Sequence, residues 1–194
     1  MVIKVCGMRE PENTRNLISE VNPDWMGLIF YPKSPRYVTD EKATELKEFP
    51  VKKVGVFVNE TVAEILKKVD RFGLSAVQLH GSESAYFVKN LAEKTEVELW
   101  KVISVGASID WQSLEDYLPF VNKFLFDTAT AAHGGSGRKF DWEILKTYPF
   151  DKDFLLSGGL DEESADEVLT LRQQIPQLQG VDLNSQFEEN PGLK

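Results

Sequence analysis

Little in this sequence is suited to metal, disulfide or membrane chemistry. There is one cysteine, Cys6, and there are two histidines, His80 and His133. A single cysteine excludes an internal disulfide, and one Cys with two separated His cannot assemble the usual four-ligand structural zinc site. No apolar run approaches the roughly 20 residues that span a bilayer. The start Met1-Val2-Ile3-Lys4-Val5-Cys6-Gly7-Met8-Arg9 turns polar too soon for a secretory leader, so a cytoplasmic location is expected. Lys/Arg runs are also missing: 22 basic residues face 31 acidic ones for a net charge of −9. That field repels nucleic acid and anionic lipid, which removes both from the expected partners. Linkers, repeats and low-complexity tracts are not evident either. What remains is 194 residues, 42% apolar and 27% charged, a composition expected to form a single domain over 1–194.

Short β-rich apolar runs recur at Ile3–Val5, Trp25–Phe30, Val54–Val58, Ala76–Leu79, Leu99–Ile103, Phe124–Phe126, Phe154–Leu156 and Val181–Leu183. Helical patterns with start signals lie between them, as in Thr39–Glu48, Thr61–Val69, Ser82–Ala92 and Glu163–Leu171. Parallel strands joined by right-handed crossovers leave an open doubly wound sheet or a closed barrel. Eight similar units favour the α/β (β/α)8 TIM barrel, and the nearly continuous apolar strands suit a sheet covered on both faces. After the eighth strand the residues run Asn184-Ser185-Gln186-Phe187-Glu188 and then Asn190-Pro191-Gly192-Leu193-Lys194, too short for another helix. The expectation is a barrel lacking its final C-terminal helix, which about 10 to 15 further residues would supply.

Reactive groups of a parallel barrel collect at the C-terminal ends of its strands. Here Cys6 follows the first strand, Asp127 the sixth, Ser157-Gly158-Gly159 the seventh, and Asp182 with Asn184-Ser185 the eighth. Singly, such a cysteine behaves as a small buried hydrophobe and such an aspartate caps a turn. Together they outline a polar rim over an apolar core. The glycines after strand seven and the Asn-Ser after strand eight suit backbone N–H groups presented to a phosphate, so a phosphorylated small-molecule substrate is expected. The loop Phe30–Tyr37 carries two prolines and holds out Lys33 and Arg36 as a fork for a carboxylate. The segment Thr128–Lys139 is glycine-rich and long enough to act as a lid, with His133 read there as a solvated side chain.

Several stretches then fall into a known order. Lys4-Val5-Cys6-Gly7-Met8, Gly27–Val38, Val54–Asn59, Val77-Gln78-Leu79-His80-Gly81, Phe126-Asp127, Gly134–Trp142, Leu156–Leu160 and Gly180–Ser185 resemble the successive motifs of the phosphoribosylanthranilate isomerase family. Ser34-Pro35-Arg36-Tyr37 and Val77–Gly81 are specific to that family, whereas the glycine loops are shared by many phosphate-binding barrels. The resemblance implies tryptophan biosynthesis, an Amadori rearrangement of N-(5-phosphoribosyl)anthranilate, and no cofactor or metal. It implies Asp127 as the general acid that opens the furanose ring and Cys6 as the base that removes the C2 proton. Arg36 is implied for the anthranilate carboxylate, and Gly158, Gly159, Asn184 and Ser185 for the phosphate, with Asp182 among the substrate-binding residues. Strands one and six lie three steps apart on an eight-strand ring, so at about 4.8 Å per step their inward side chains can flank a sugar. A nearby cation or backbone donors would be needed to raise the thiolate fraction of Cys6. A histidine-pathway phosphoribosyl isomerase would carry carboxylates in both roles, which Cys6 opposes. A phosphopentose epimerase would need metal ligands. A catalytically silent phosphate-binding barrel is opposed by Cys6, Asp127 and Arg36 occurring together. Monomer and homodimer remain equally open.

Overall fold

A computed structural model of the chain describes residues 1–129 and 139–194. Among these residues eight parallel strands close into a barrel in sequence order, with the last strand paired to the first. They are β1 (Val2–Val5), β2 (Trp25–Ile29), β3 (Lys52–Phe57), β4 (Ala76–Leu79), β5 (Glu98–Val105), β6 (Lys123–Thr128), β7 (Phe154–Leu156) and β8 (Leu178–Leu183). Each apolar run in the sequence coincides with one of these strands, the second and third runs extending one residue further, to Phe30 and Val58. The α-helices are α1 (Pro11–Glu20), α2 (Ala43–Glu48), α3 (Val62–Phe72), α4 (Ala85–Ala92) and α5 (Ala165–Gln174).

Local chemistry explains the helix ends. Thr61 accepts the Glu64 N–H at 3.2 Å to start α3, and Ser84 does the same for Phe87 at 3.2 Å to start α4. Gly73 stops α3 in the left-handed region, at φ +61°. Strict alternation of strand and α-helix does not hold throughout. Among the described residues, the segments after β5 and β6 form only 3-10 turns, Gln112–Tyr117 and Trp142–Thr147, and Pro119 and Pro149 follow them closely. A proline lacks the N–H that would continue the ladder and disfavours the α conformation in the residue before it. After β8 the described chain makes a 3-10 turn, Ser185–Phe187, and an Asn190–Leu193 bridge rather than an α-helix.

Two packed layers hold the barrel. Outward-facing side chains such as Leu28, Phe57, Val77, Leu79, Phe124 and Phe126 meet Leu46, Ile65, Phe72, Val88 and Leu171 of the helical shell. Inside, Trp25, Val54, Ala76, Trp100, Val102, Leu125 and Leu155 fill the barrel. The Trp25 and Trp100 rings meet edge to face with centroids 4.9 Å apart. With this interior packed, open space gathers at the end where β1, β6, β7 and β8 finish.

Candidate active site

One cavity at that end is lined by Cys6, Arg36, Asp127, Gly158, Gly159, Asp182, Asn184 and Ser185, all eight site residues expected from the sequence. Lys33 is not among its lining residues and is exposed, so the anticipated two-cation fork has Arg36 as its only cavity member. The lid segment lies largely outside the described residues, His133 included. Thr128, Ala129 and Lys139 are described at its two ends, and Lys139 pairs with Asp161 at 3.0 Å.

Cys6 extends β1 by one step, its N–H donating to the Leu183 carbonyl at 2.8 Å. Alternation then turns both Lys4 and Cys6 to the interior. Parallel pairing sets Lys4 directly beside Asp182 on β8, and the Lys4 ammonium donates to Asp182 Oδ1 at 2.7 Å with both side chains buried. Gly27 on β2 leaves the space for this group: a Cβ there would lie 2.7 Å from Cys6 Sγ and 3.1 Å from Lys4 Nζ. Burial pushes the Cys6 thiol up, and the Lys4 ammonium opposes that without overcoming it. Asp182 is also raised by burial, against the pull of Lys4. The cation required for the thiol is therefore present, two residues before it, yet the resting group is a thiol.

Across the cavity, Asp127 Oδ1 accepts the Thr128 N–H at 2.8 Å, while its other oxygen lies 3.4 Å from His80 Nε2. Gly158 packs against the same carboxylate: a Cβ there would come within 2.8 Å of Asp127 Oδ1 and 2.4 Å of Thr128 Oγ1. Gly158 and Gly159 have φ of +88° and +68°, in the left-handed region that favours glycine. Among the described residues their N–H groups meet no protein acceptor.

Arg36 is already engaged. Its Nε lies 2.9 Å from both Glu188 oxygens and its Nη2 2.6 Å from Glu188 Oε2. Glu188 also accepts from the Gly192 N–H at 3.0 Å and from Lys194 Nζ at 2.9 Å, and Lys194 reaches Asn184 Oδ1 at 3.0 Å. Burial works to raise the Glu188 carboxyl, but the bonds from Arg36, Lys194 and Gly192 outweigh it and bring it to about 2. Lys4, Gln78, His80, Glu188 and Lys194 are the members of this site that the sequence reading did not single out. For Lys4, Gln78 and His80 the missed signal is alternation: Lys4 is two residues from Cys6, and His80, one residue past β4, is two from Gln78.

The mouth of a closed parallel barrel, with a thiol and a carboxylate on opposite walls, an arginine at one edge and open backbone N–H groups at another, defines a TIM-barrel enzyme built for acid–base work on a small anionic substrate. Residues 3–194 match the family model described as N-(5'-phosphoribosyl)anthranilate (PRA) isomerase, and the chain belongs to that family. It is 44% identical over 194 residues to the N-(5'-phosphoribosyl)anthranilate isomerase of Phocaeicola vulgatus, covering all of this chain and 92% of that protein. It also superposes on the phosphoribosyl anthranilate isomerase of Thermus thermophilus with a TM-score of 0.86 at 27% identity, covering all of this chain and 92% of the other. A further solved phosphoribosyl anthranilate isomerase, in complex with reduced 1-(o-carboxyphenylamino)-1-deoxyribulose 5-phosphate, has a TM-score of 0.78 at 32% identity, with the same coverage.

Proposed function

We infer that this protein is the isomerase of tryptophan biosynthesis that converts N-(5'-phosphoribosyl)anthranilate into 1-(2-carboxyphenylamino)-1-deoxyribulose 5-phosphate, with Cys6 as general base and Asp127 as general acid. The observation that carries the residue roles is the convergence of Cys6 and Asp127 on one cavity from β1 and β6. Asp127 protonates the furanose ring oxygen while the anilino nitrogen lone pair expels it, breaking the C1–O bond and leaving an iminium ion. Cys6 as thiolate then takes the C2 proton, and the C–H electrons form the C1–C2 double bond of an enolamine as the iminium nitrogen recovers its pair. The Asp127 carboxylate takes the enol O–H proton while the Cys6 thiol gives its proton to C1, which yields the ketone. Asp127 and Cys6 end in their starting states.

Arg36 is assigned to the anthranilate carboxylate. Glu188 already holds the guanidinium in a forked pair through Nε and Nη2, so the substrate meets an oriented cation whose Nη1 is not used by that pair. Gly158, Gly159 and Ser185 are assigned to the phosphate through backbone N–H groups, with Asn184 shaping that edge, and the Asp182 oxygen not bound to Lys4 to a ribose hydroxyl. On this reading residues 1–194 act as a single domain, cytoplasmic and either monomeric or homodimeric. Among the described residues no helix is long and apolar enough to cross a membrane.

The test follows the loss of phosphoribosylanthranilate fluorescence with purified protein. Cys6→Ala and Asp127→Asn are each expected to lower kcat by roughly 10²–10⁴-fold with KM little changed. A Cys6→Ala protein with near-normal turnover would move the base elsewhere.

A further inference from the structure

We propose that Lys4 and Asp182 are positioning residues that share one mobile proton with Cys6, so that the thiolate forms by passing its proton through Lys4 onto Asp182. The proposal rests on Cys6 being the base. Its geometric ground is the convergence of three buried ionisable groups. Lys4 is 0%, Cys6 3% and Asp182 5% exposed, the ammonium and carboxylate are bonded at 2.7 Å, and Sγ and Nζ both border the space above Gly27.

One cation and two acids in a buried setting have a restricted set of tolerable states, because an uncompensated buried charge is strongly unfavourable. With Lys4 charged, neutrality requires one anion: either Asp182 as carboxylate with Cys6 as thiol, or Cys6 as thiolate with Asp182 protonated. Losing the thiol proton to solvent would instead leave two anions around one ammonium. Interconversion of the two neutral states needs no outside group. Lys4 gives a proton to Asp182 Oδ1 and takes the proton of Sγ, so an N–H and an S–H bond break, an O–H and an N–H bond form, and the total charge is constant. Burial raises both acids, so each anion depends on the Lys4 ammonium beside it.

The surroundings are compatible with that exchange. Arg36 and Lys194 face Cys6 from the loop after β2 and from the C-terminal segment, and Glu188 bonds to both of them. On the far wall Asp127 and His80 act on Asp182 and accompany one another at 3.4 Å.

Because Cys6 is the only cysteine, its thiolate can be read directly from the iodoacetamide alkylation rate as a function of pH, without turnover. Asp182→Asn leaves the Lys4 cation with no competing anion, so alkylation at pH 7 should speed up roughly tenfold or more. The acid limb of kcat/KM should move to lower pH. Lys4→Met removes the cation and the relay, so alkylation should slow by roughly tenfold or more, with the acid limb moving up. A purely structural role would not give opposite signs. Should either single variant fail to fold, the double variant Lys4→Met/Asp182→Asn leaves no lone buried charge and decides the matter: a rate well below the parent is expected, and one equal to the parent overturns the proposal. Unchanged alkylation in the single variants, with Cys6→Ala inactive, overturns the shared proton and leaves Cys6 as base. Near-normal turnover of Cys6→Ala overturns the base assignment itself.

Discussion

Individual side chains here answer to their neighbours more than to their own type. Arg36 is the clearest case. A proline-stiffened loop and a basic residue suggested a carboxylate partner, yet the sequence could not reveal that Glu188, 152 positions away, already holds that guanidinium. If Nη1 serves the substrate, Arg36→Ala should weaken substrate binding by about 1.5–3 kcal/mol, and an analogue lacking the carboxylate should lose far less. Titrating both ligands into parent and variant separates the cases, and equal losses would assign Arg36 to holding the loop. Gly27 was legible only as part of a motif, because its importance is the space it leaves. Gly27→Ala would set a methyl 2.7 Å from Cys6 Sγ and 3.0 Å from its Cα, and the backbone contact cannot be relieved by rotating a side chain. The expected result is a folded protein whose turnover falls roughly tenfold to 10²-fold, the upper figure being that of misplacing a catalytic group by about 1 Å. A Gly27→Ala enzyme with parental kcat would show that the thiol has room to move.

At the level of strands and loops, the positions that follow a period were readable and those that depend on long-range partners were not. The eight apolar runs and the polar residues at the C-terminal ends of β1, β6, β7 and β8 follow from alternation and from the barrel rule, so the rim was visible in advance; Asp127 and Asp182 sit one residue before the ends of their strands rather than beyond them. The short turns after β5 and β6 were less so, since Trp111–Phe120 and Trp142–Phe150 carry enough apolar residues to pass for helices until their prolines are weighed. The brace beneath His80 was invisible. Glu83 is buried, accepts the N–H groups of Asn59 and Gly81 at 2.8 and 3.0 Å, and bonds to Lys101 Nζ at 3.0 Å. Lys101 also donates to the Gly81 carbonyl at 2.7 Å, so one ion pair ties the loops after β3 and β4 to β5. Burial lowers the Lys101 ammonium against the pull of Glu83. Removing one partner strands the other: Glu83→Ala should cost about 3–5 kcal/mol in urea denaturation, and a loss below about 1 kcal/mol would show that water reaches the pair.

For the molecule as a whole, ion pairs reinforce the backbone pairing that joins the ends of the barrel, and that part of the joint depends on pH. The β1–β8 seam carries Lys4–Asp182, and above it Glu188 connects the loop after β2, the end of β8 and the C-terminal segment through Arg36, Lys194 and Gly192. The Glu188 carboxyl, at about 2 against an ordinary value of 4.5, is lowered in the folded state. A depressed carboxylate contributes stability that is fully present above its unfolded value and disappears as pH falls through the folded one. The window is thus from about 4.5 down to about 2. Because solvent screens part of the cluster, the contribution at neutral pH is about 1–2 kcal/mol, below the full linkage value. Glu188→Gln should lower the melting temperature at pH 7, and the gap between parent and variant should narrow steadily as pH is brought through that window. A gap of constant size across the window would mean that Glu188 acts through shape and hydrogen bonding alone, and that the acid sensitivity of the fold resides in other carboxylates.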